Sequence, residues 1–174
     1  MITRHADDFF AYAKTLDLDF SSATAKAVFV VSPIGFALAE QSARDNRYMQ
    51  MGQVTDAQQA IMEHQQLQAA LRQHCPVICF PGDPNMPDSV FPNNVFATAE
   101  GKFIIGHMRH PVRQKEATRT DIRRFMTEVM QREEIDLSSQ PGICELTGSL
   151  IIDRARGIGF CGLSERCDEA GAVA

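Results

Sequence analysis

The sequence predicts an α/β chain assembled from repeated ββαβ units. Three observations carry that expectation. Short apolar segments rich in β-branched and aromatic residues recur along the chain, as in Ala27-Val28-Phe29-Val30-Val31. Between them lie amphipathic segments at helical spacing, such as Ala57, Ile61, His64, Leu67 and Leu71. The third observation is an internal repeat with a period of about 50 residues. Its first unit has a polar lip, strand 94–98, a tight turn, strand 102–106, a loop with Arg113 and a helix. Its second has Glu145 at the lip, strand 149–153, a turn, strand 158–162, a loop with Arg166 and a helix start.

Taken in order, residues 1–26 read as an N-terminal helical extension, with Phe9, Phe10, Tyr12, Ala13 and Leu16 at helical spacing. Residues 27–174 carry the repeated units. Strand 27–31 ends at Ser32-Pro33-Ile34-Gly35. A long connection to Gly52 follows, and loops of that length inside a domain tend to be functional, here as a cover for substrate. Thr55-Asp56-Ala57-Gln58 predicts a capping box, with Thr55 as the cap, opening a helix to about Gln73. Strand 75–80 contains Cys75 and Cys79, expected to pack as small apolar side chains. Glu100-Gly101-Lys102 turns one strand into the next. The helix after Arg113 presents Ile122, Phe125, Met126, Val129 and Met130 on one face, and a short strand is expected at about 135–137.

Composition narrows the function classes. The chain has 174 residues, 44% apolar and 22% charged, as expected of a soluble globular domain. A net charge of -5 lacks the basic footprint of a nucleic-acid binder. No apolar run approaches the roughly 20 residues that span a bilayer, and the early acids Asp7 and Asp8 are unlike a secretion signal, so a cytoplasmic protein is expected. Five cysteines lack zinc-knuckle spacing and read as thiols. His107 and His110 stand three apart with Pro111 following, a poor metal pair.

The chemistry concentrates in Pro87-Asp88-Ser89-Val90-Phe91-Pro92-Asn93-Asn94-Val95-Phe96-Ala97-Thr98. Two prolines restrict its backbone, and an acid and two amides sit among apolar residues. Polar groups at the lip of a buried strand need partners, from the protein or from a ligand. An Asx-rich turn capping a strand is the plain alternative. Repeats arranged about an axis bring equivalent loops to one end, so Arg113, Arg166 and the polar lips would meet. An arginine fork grips a carboxylate at two points.

This stretch resembles the guanidino-group-modifying superfamily, which includes dimethylarginine dimethylaminohydrolases, arginine deiminases and amidinotransferases. The nearest pattern is that of citrulline-utilisation hydrolases. The resemblance extends in order through Pro33 to Asn46, Pro87 to Thr98, Val112-Arg113-Gln114-Lys115-Glu116, and Glu145-Leu146-Thr147-Gly148 to Cys167. It implies a β/α propeller of ββαβ modules, the pentein fold, incomplete in this chain. It also implies a hydrolase that attacks the guanidino or ureido carbon of an arginine-like amino acid with a cysteine thiolate, without a cofactor or metal. By the same resemblance, Asp88 holds the substrate's amino-acid end and Asn93 and Asn94 occupy the position of an acidic pair. Arg113 and Arg166 hold the carboxylate, and Glu145 is the catalytic acid that partners the histidine. Gly148 replaces an aspartate common in the deiminase pattern.

The family's catalytic histidine and cysteine come later than this segment, so this chain alone is expected to be inactive. Ala174 falls inside a helix that has only begun, which predicts an N-terminal part of a longer protein. Were Ala174 the true end, open sheet surfaces would predict a homodimer or domain swap. A neutral amide at 94 favours a ureido substrate such as citrulline over a guanidinium. The alternatives are an amidinotransferase and a non-catalytic amino-acid-binding or relic module.

Overall fold

A computed structural model describes residues 24–44 and 56–174, with Asp8 and Ala11 as two further helical positions. Of the helical extension expected over 1–26, residues 24–26 are described and are not helical; apart from Asp8 and Ala11 the rest lies outside the described residues, as does the middle of the long connection. Strand β1 (Val28–Val31) pairs in parallel with β2 (Val77–Phe80), Val28 opposite Val77 and Val31 opposite Phe80. Parallel neighbours need a crossover, and it contains α1 (Glu40–Ala43) and α2 (Ala57–Leu71).

The first repeat forms a ββαβ unit. β3 (Phe96–Ala99) and β4 (Lys102–Ile105) are antiparallel, and β5 (Glu133–Asp136) joins β4 in parallel. Gly101 makes the β3–β4 turn at φ +67°, a left-handed conformation that suits a residue without Cβ. Between β4 and β5 run α3 (Pro111–Gln114), a 3₁₀ turn (Lys115–Thr118) and α4 (Thr120–Arg124), which widens into a π turn (Phe125–Val129). Phe103 and Ile105 face inward at alternate positions, both fully buried. Phe103 stacks on Phe96 with ring centroids 5.5 Å apart. Ile122 and Met126 cover them, and Val31 and Phe80 belong to the same cluster, so the first two sheets share one core.

The second repeat begins with α5 (Leu146–Ser149), followed by the antiparallel pair β6 (Leu150–Asp153) and β7 (Ile158–Cys161) and by α6 (Glu169–Val173). Its small core is Cys144, Leu146 and Cys167, with Ala97, Ile104, Leu150 and Ala172 packed against it. The sheets are β1–β2, β3–β4–β5 and β6–β7, and no closed sheet forms among the described residues. The ββαβ module is therefore present.

Four local expectations are corrected. The cap of α2 is Asp56, whose carboxylate accepts from the backbone N–H groups of Gln58 and Gln59; Thr55 lies outside the described residues. Leu67 is half exposed, while Gln68 turns inward, bonded to His64 and Arg72. That network lets an amide replace an aliphatic side chain on the inner face. The π turn shifts the helical phase, so Val129 and Met130 point outward instead of continuing the stripe of Ile122 and Met126. Cys79 is exposed rather than packed.

Candidate functional site

The site is set by burial on either side of a turn. Val95 and Phe96 are sunk in the core, 0% and 3% exposed, which holds the 3₁₀ turn Pro92–Asn94 at the rim. Upstream, Asp88 is 2% exposed. Its Oδ2 accepts from the Ser42 hydroxyl of α1 at 2.5 Å. Its carbonyl accepts from Arg113 Nη2 at 3.3 Å, and the Phe91 carbonyl accepts from the same atom at 3.1 Å.

Arg113 is buried on α3 and forked onto Glu116, with Nε to Oε1 and Nη2 to Oε2 both at 2.9 Å. Burial alone would lower the Arg113 pKa, but the hydrogen bonds and charge of Glu116 outweigh it and raise the pKa. For Glu116 burial dominates, pushing its carboxyl up while Arg113 pulls it part of the way back. Among the described residues Arg113 Nη1 has no acceptor, and Arg113 lines the cleft.

Glu145 is 4% exposed and stands at the N-cap position of α5 without capping it by its side chain. The carboxylate turns instead toward the cleft. Oε1 accepts from the backbone N–H of Arg109 at 3.2 Å, and Oε2 lies 3.6 Å from Arg166 Nη1. Arg166 is positioned by main-chain bonding, since its carbonyl accepts from Glu145 N at 2.8 Å. Its own N–H donates to Ser164 Oγ at 3.1 Å.

Ser42, His110, Arg113, Glu145 and Arg166 line one small open cleft. Three of the six predicted residues, Arg113, Glu145 and Arg166, therefore meet there. Asp88 stands one hydrogen bond behind, through Ser42. Asn94 is half-buried beside Gly148, where an added Cβ would sit 3.3 Å from Asn94 Nδ2 and 3.1 Å from Arg166 Cδ. The Asn93 residue is exposed, and its carbonyl accepts from Thr147 Oγ1 at 2.8 Å. Two guanidinium groups beside one carboxylate give a lining able to hold a carboxylate and, next to it, an N–H donor.

Sequence reasoning missed Ser42 and His110. The length of the connection after β1 was the signal for Ser42. His110 was legible only as half of a histidine pair. The structure separates that pair: His107 Nδ1 bonds the Gly142 carbonyl at 2.7 Å, whereas His110 lines the cleft. Among the described residues no His, Cys, Asp and Glu group is arranged to hold a metal ion. No helix among them is long and apolar enough to cross a membrane.

Residues 32–174 match the model of a family described as N,N dimethylarginine dimethylhydrolase, eukaryotic. No curated protein sequence matches the chain. Among solved structures, apo ArgZ, an arginine dihydrolase from the ornithine-ammonia cycle in cyanobacteria, is similar at TM-score 0.67 and 17% identity. That match covers 82% of this chain and 21% of ArgZ. The substrate-bound N-terminal domain of ArgZ matches at 0.67 and 17%, covering 82% of this chain and 51% of that one. A dimethylarginine dimethylaminohydrolase of Pseudomonas aeruginosa complexed with citrulline matches at 0.63 and 21%, covering 89% and 55% respectively. At these identities the likeness is one of fold, and the chain spans about half or less of each structure.

Proposed function

The chain belongs to the N,N dimethylarginine dimethylhydrolase family, and on that premise we propose that it supplies the substrate-holding part of a hydrolase acting on the guanidino or ureido group of an arginine-like amino acid. The supporting observation is the convergence of Arg113, Glu145 and Arg166, from three chain segments, on one cleft. In this reading Arg166 and the Nη1 edge of Arg113 hold the substrate carboxylate. Asp88, acting with Ser42, receives the amino end, and Glu145 accepts from the terminal nitrogens and orients the catalytic histidine. Asn93 and Asn94 face the ureido or guanidino head.

The thiolate attacks the head-group carbon, an amine leaves with a proton from the histidine, and water then releases the product. Among the described residues none of the five cysteines lines the cleft, so the nucleophile is proposed to come from outside them. The same observation favours the second reading, an amino-acid-binding module without turnover.

The neutral Asn94 amide and the missing side chain at Gly148 support a ureido substrate, citrulline, over a guanidinium. At Asn94 and Gly148 a guanidinium meets no carboxylate beyond Glu145, whereas a neutral ureido group is matched by the donor and acceptor of the Asn94 amide. Steady-state assays of the protein on citrulline, arginine and dimethylarginine test this. Citrulline should have the highest kcat/KM, and a tenfold preference for arginine or dimethylarginine overturns the ureido assignment. Citrulline binding by calorimetry without product release supports the binding module. Gly148→Asp should move the preference toward arginine by roughly tenfold, about 1.4 kcal/mol, by adding a carboxylate beside Asn94.

A further inference from the structure

Behind the Glu145–Arg166 pair lies a group of thiols that the proposed reaction does not use. Cys161 Sγ and Cys167 Sγ are 3.3 Å apart. Cys161 ends β7 and is exposed, whereas Cys167 is fully buried. Cys144, also buried, pairs with Cys167 across an isolated β-bridge. The turn between the two close sulfurs is tight: Ser164 N donates to the Cys167 carbonyl at 2.9 Å, and Cys167 N donates to the Ser164 carbonyl at 3.2 Å. Arg166 lies on that turn.

We propose that Cys161 and Cys167 form a thiol–disulfide modification site, in which a hydroperoxide oxidises the exposed sulfur and the buried one resolves it. A disulfide requires the sulfurs to close to about 2.05 Å, a short movement from their present separation. In the first step the Cys161 thiolate attacks peroxide oxygen; the S–O bond forms, the O–O bond breaks and hydroxide leaves, taking up a proton as water. In the second, Cys167 sulfur attacks the Cys161 sulfenic acid; the S–S bond forms, the S–O bond breaks, and the departing oxygen leaves as water with the Cys167 proton. Two thiols lose two electrons and one peroxide becomes two waters. The exposed member gives the oxidant access, and the buried member is shielded from other thiols.

Burial, then the neighbouring Cys167, pushes the Cys161 thiol up to about 11. The thiolate is thus scarce at neutral pH, and oxidation should accelerate roughly tenfold per pH unit between pH 7 and 9. The reduced state gains nothing from a stabilised thiolate, so the disulfide, once formed, should resist mild reductants.

The site is independent of the proposed hydrolase activity, and its test needs no substrate. Cutting after Arg132, Arg154, Arg156 and Arg166 places Cys144, Cys161 and Cys167 in three different tryptic peptides. The protein is treated with hydrogen peroxide at pH 8.5, alkylated, digested and mapped by mass spectrometry. The expected result is a linked pair joining peptide 157–166 to the peptide that begins at Cys167, reversed by excess dithiothreitol. Cys161→Ser, at an exposed position that should not disturb folding, must abolish that pair. Cys144→Ser must retain it. Full alkylation of Cys161 and Cys167 after oxidation overturns the proposal. So does a Cys144–Cys167 link in the unsubstituted protein, or a bond found only between molecules.

Discussion

The two repeats begin with the same pattern and end in different physical states. In the first, Phe103 and Ile105 on β4 are wholly buried beneath Ile122 and Met126. In the second, Ile158 and Phe160 on β7 are half-buried, and Ile151 on β6 is 69% exposed. The strands are equally apolar, so strand sequence is not the cause. Among the described residues the covering layer differs: Ile122 and Met126, from the segment between β4 and β5, close over the first pair of strands, while Leu146, Cys167 and Ala172 pack beside the second. The arginines differ likewise. Arg113 is forked onto buried Glu116, and among the described residues Arg166, with 31% of its side chain exposed, meets Glu145 at 3.6 Å. Among the described residues the first arginine is enclosed and paired, and the second is partly exposed.

The largest expected effect tests the arginines. Arg113→Ala leaves Glu116 buried and unpaired and should cost about 3–5 kcal/mol in urea denaturation. Arg166→Ala should cost less, about 1 kcal/mol, because the arginine is partly solvated at 3.6 Å and buried Glu145 keeps its hydrogen bond from the Arg109 N–H. Equal losses would erase the distinction between the repeats.

Next come the aromatic residues on the paired strands. Phe103→Ala should destabilise by about 3–5 kcal/mol, as expected for a large cavity in a closed core. Phe160→Ala, at a half-buried position, should lose about 1 kcal/mol. A Phe160 loss as large as that of Phe103 would mean that the second sheet is covered in solution.

The smallest effect concerns acid. Asp168 caps α6, accepting from the N–H groups of Gly171 and Ile143, and these bonds hold its carboxyl below the usual 3.8. The unfolded state therefore binds more protons in that range. The stabilisation is present above about pH 4 and is lost as pH falls through the folded value. Asp168→Asn should flatten the stability curve on that acid limb, with the change confined to protection of the second repeat in hydrogen exchange. An unchanged acid limb would show that this cap contributes nothing.

Much of the architecture was legible because strands and turns are local. The β3–β4 and β6–β7 hairpins follow from apolar runs interrupted by Gly101 and Gly157 turns, and the repeat of lip, hairpin and arginine located Arg113, Glu145 and Arg166. The errors arose where a partner distant in sequence decided the outcome. Gln68 is buried because His64 and Arg72 satisfy its amide. Val129 faces outward because a single π turn rotates the helix. Ser42 and His110 enter the cleft through folding of segments whose own sequence names no ligand.

By itself the sequence determined the α/β class, the ββαβ period and the residue types at the cleft, since periodicity and turn chemistry are properties of neighbouring residues. Only the tertiary structure decided that Arg113 is forked onto Glu116 while Arg166 stands partly exposed beside Glu145, and that Cys161 meets Cys167. The physical reason is that burial and charge pairing depend on what packs across space, and spacing along the chain does not specify that.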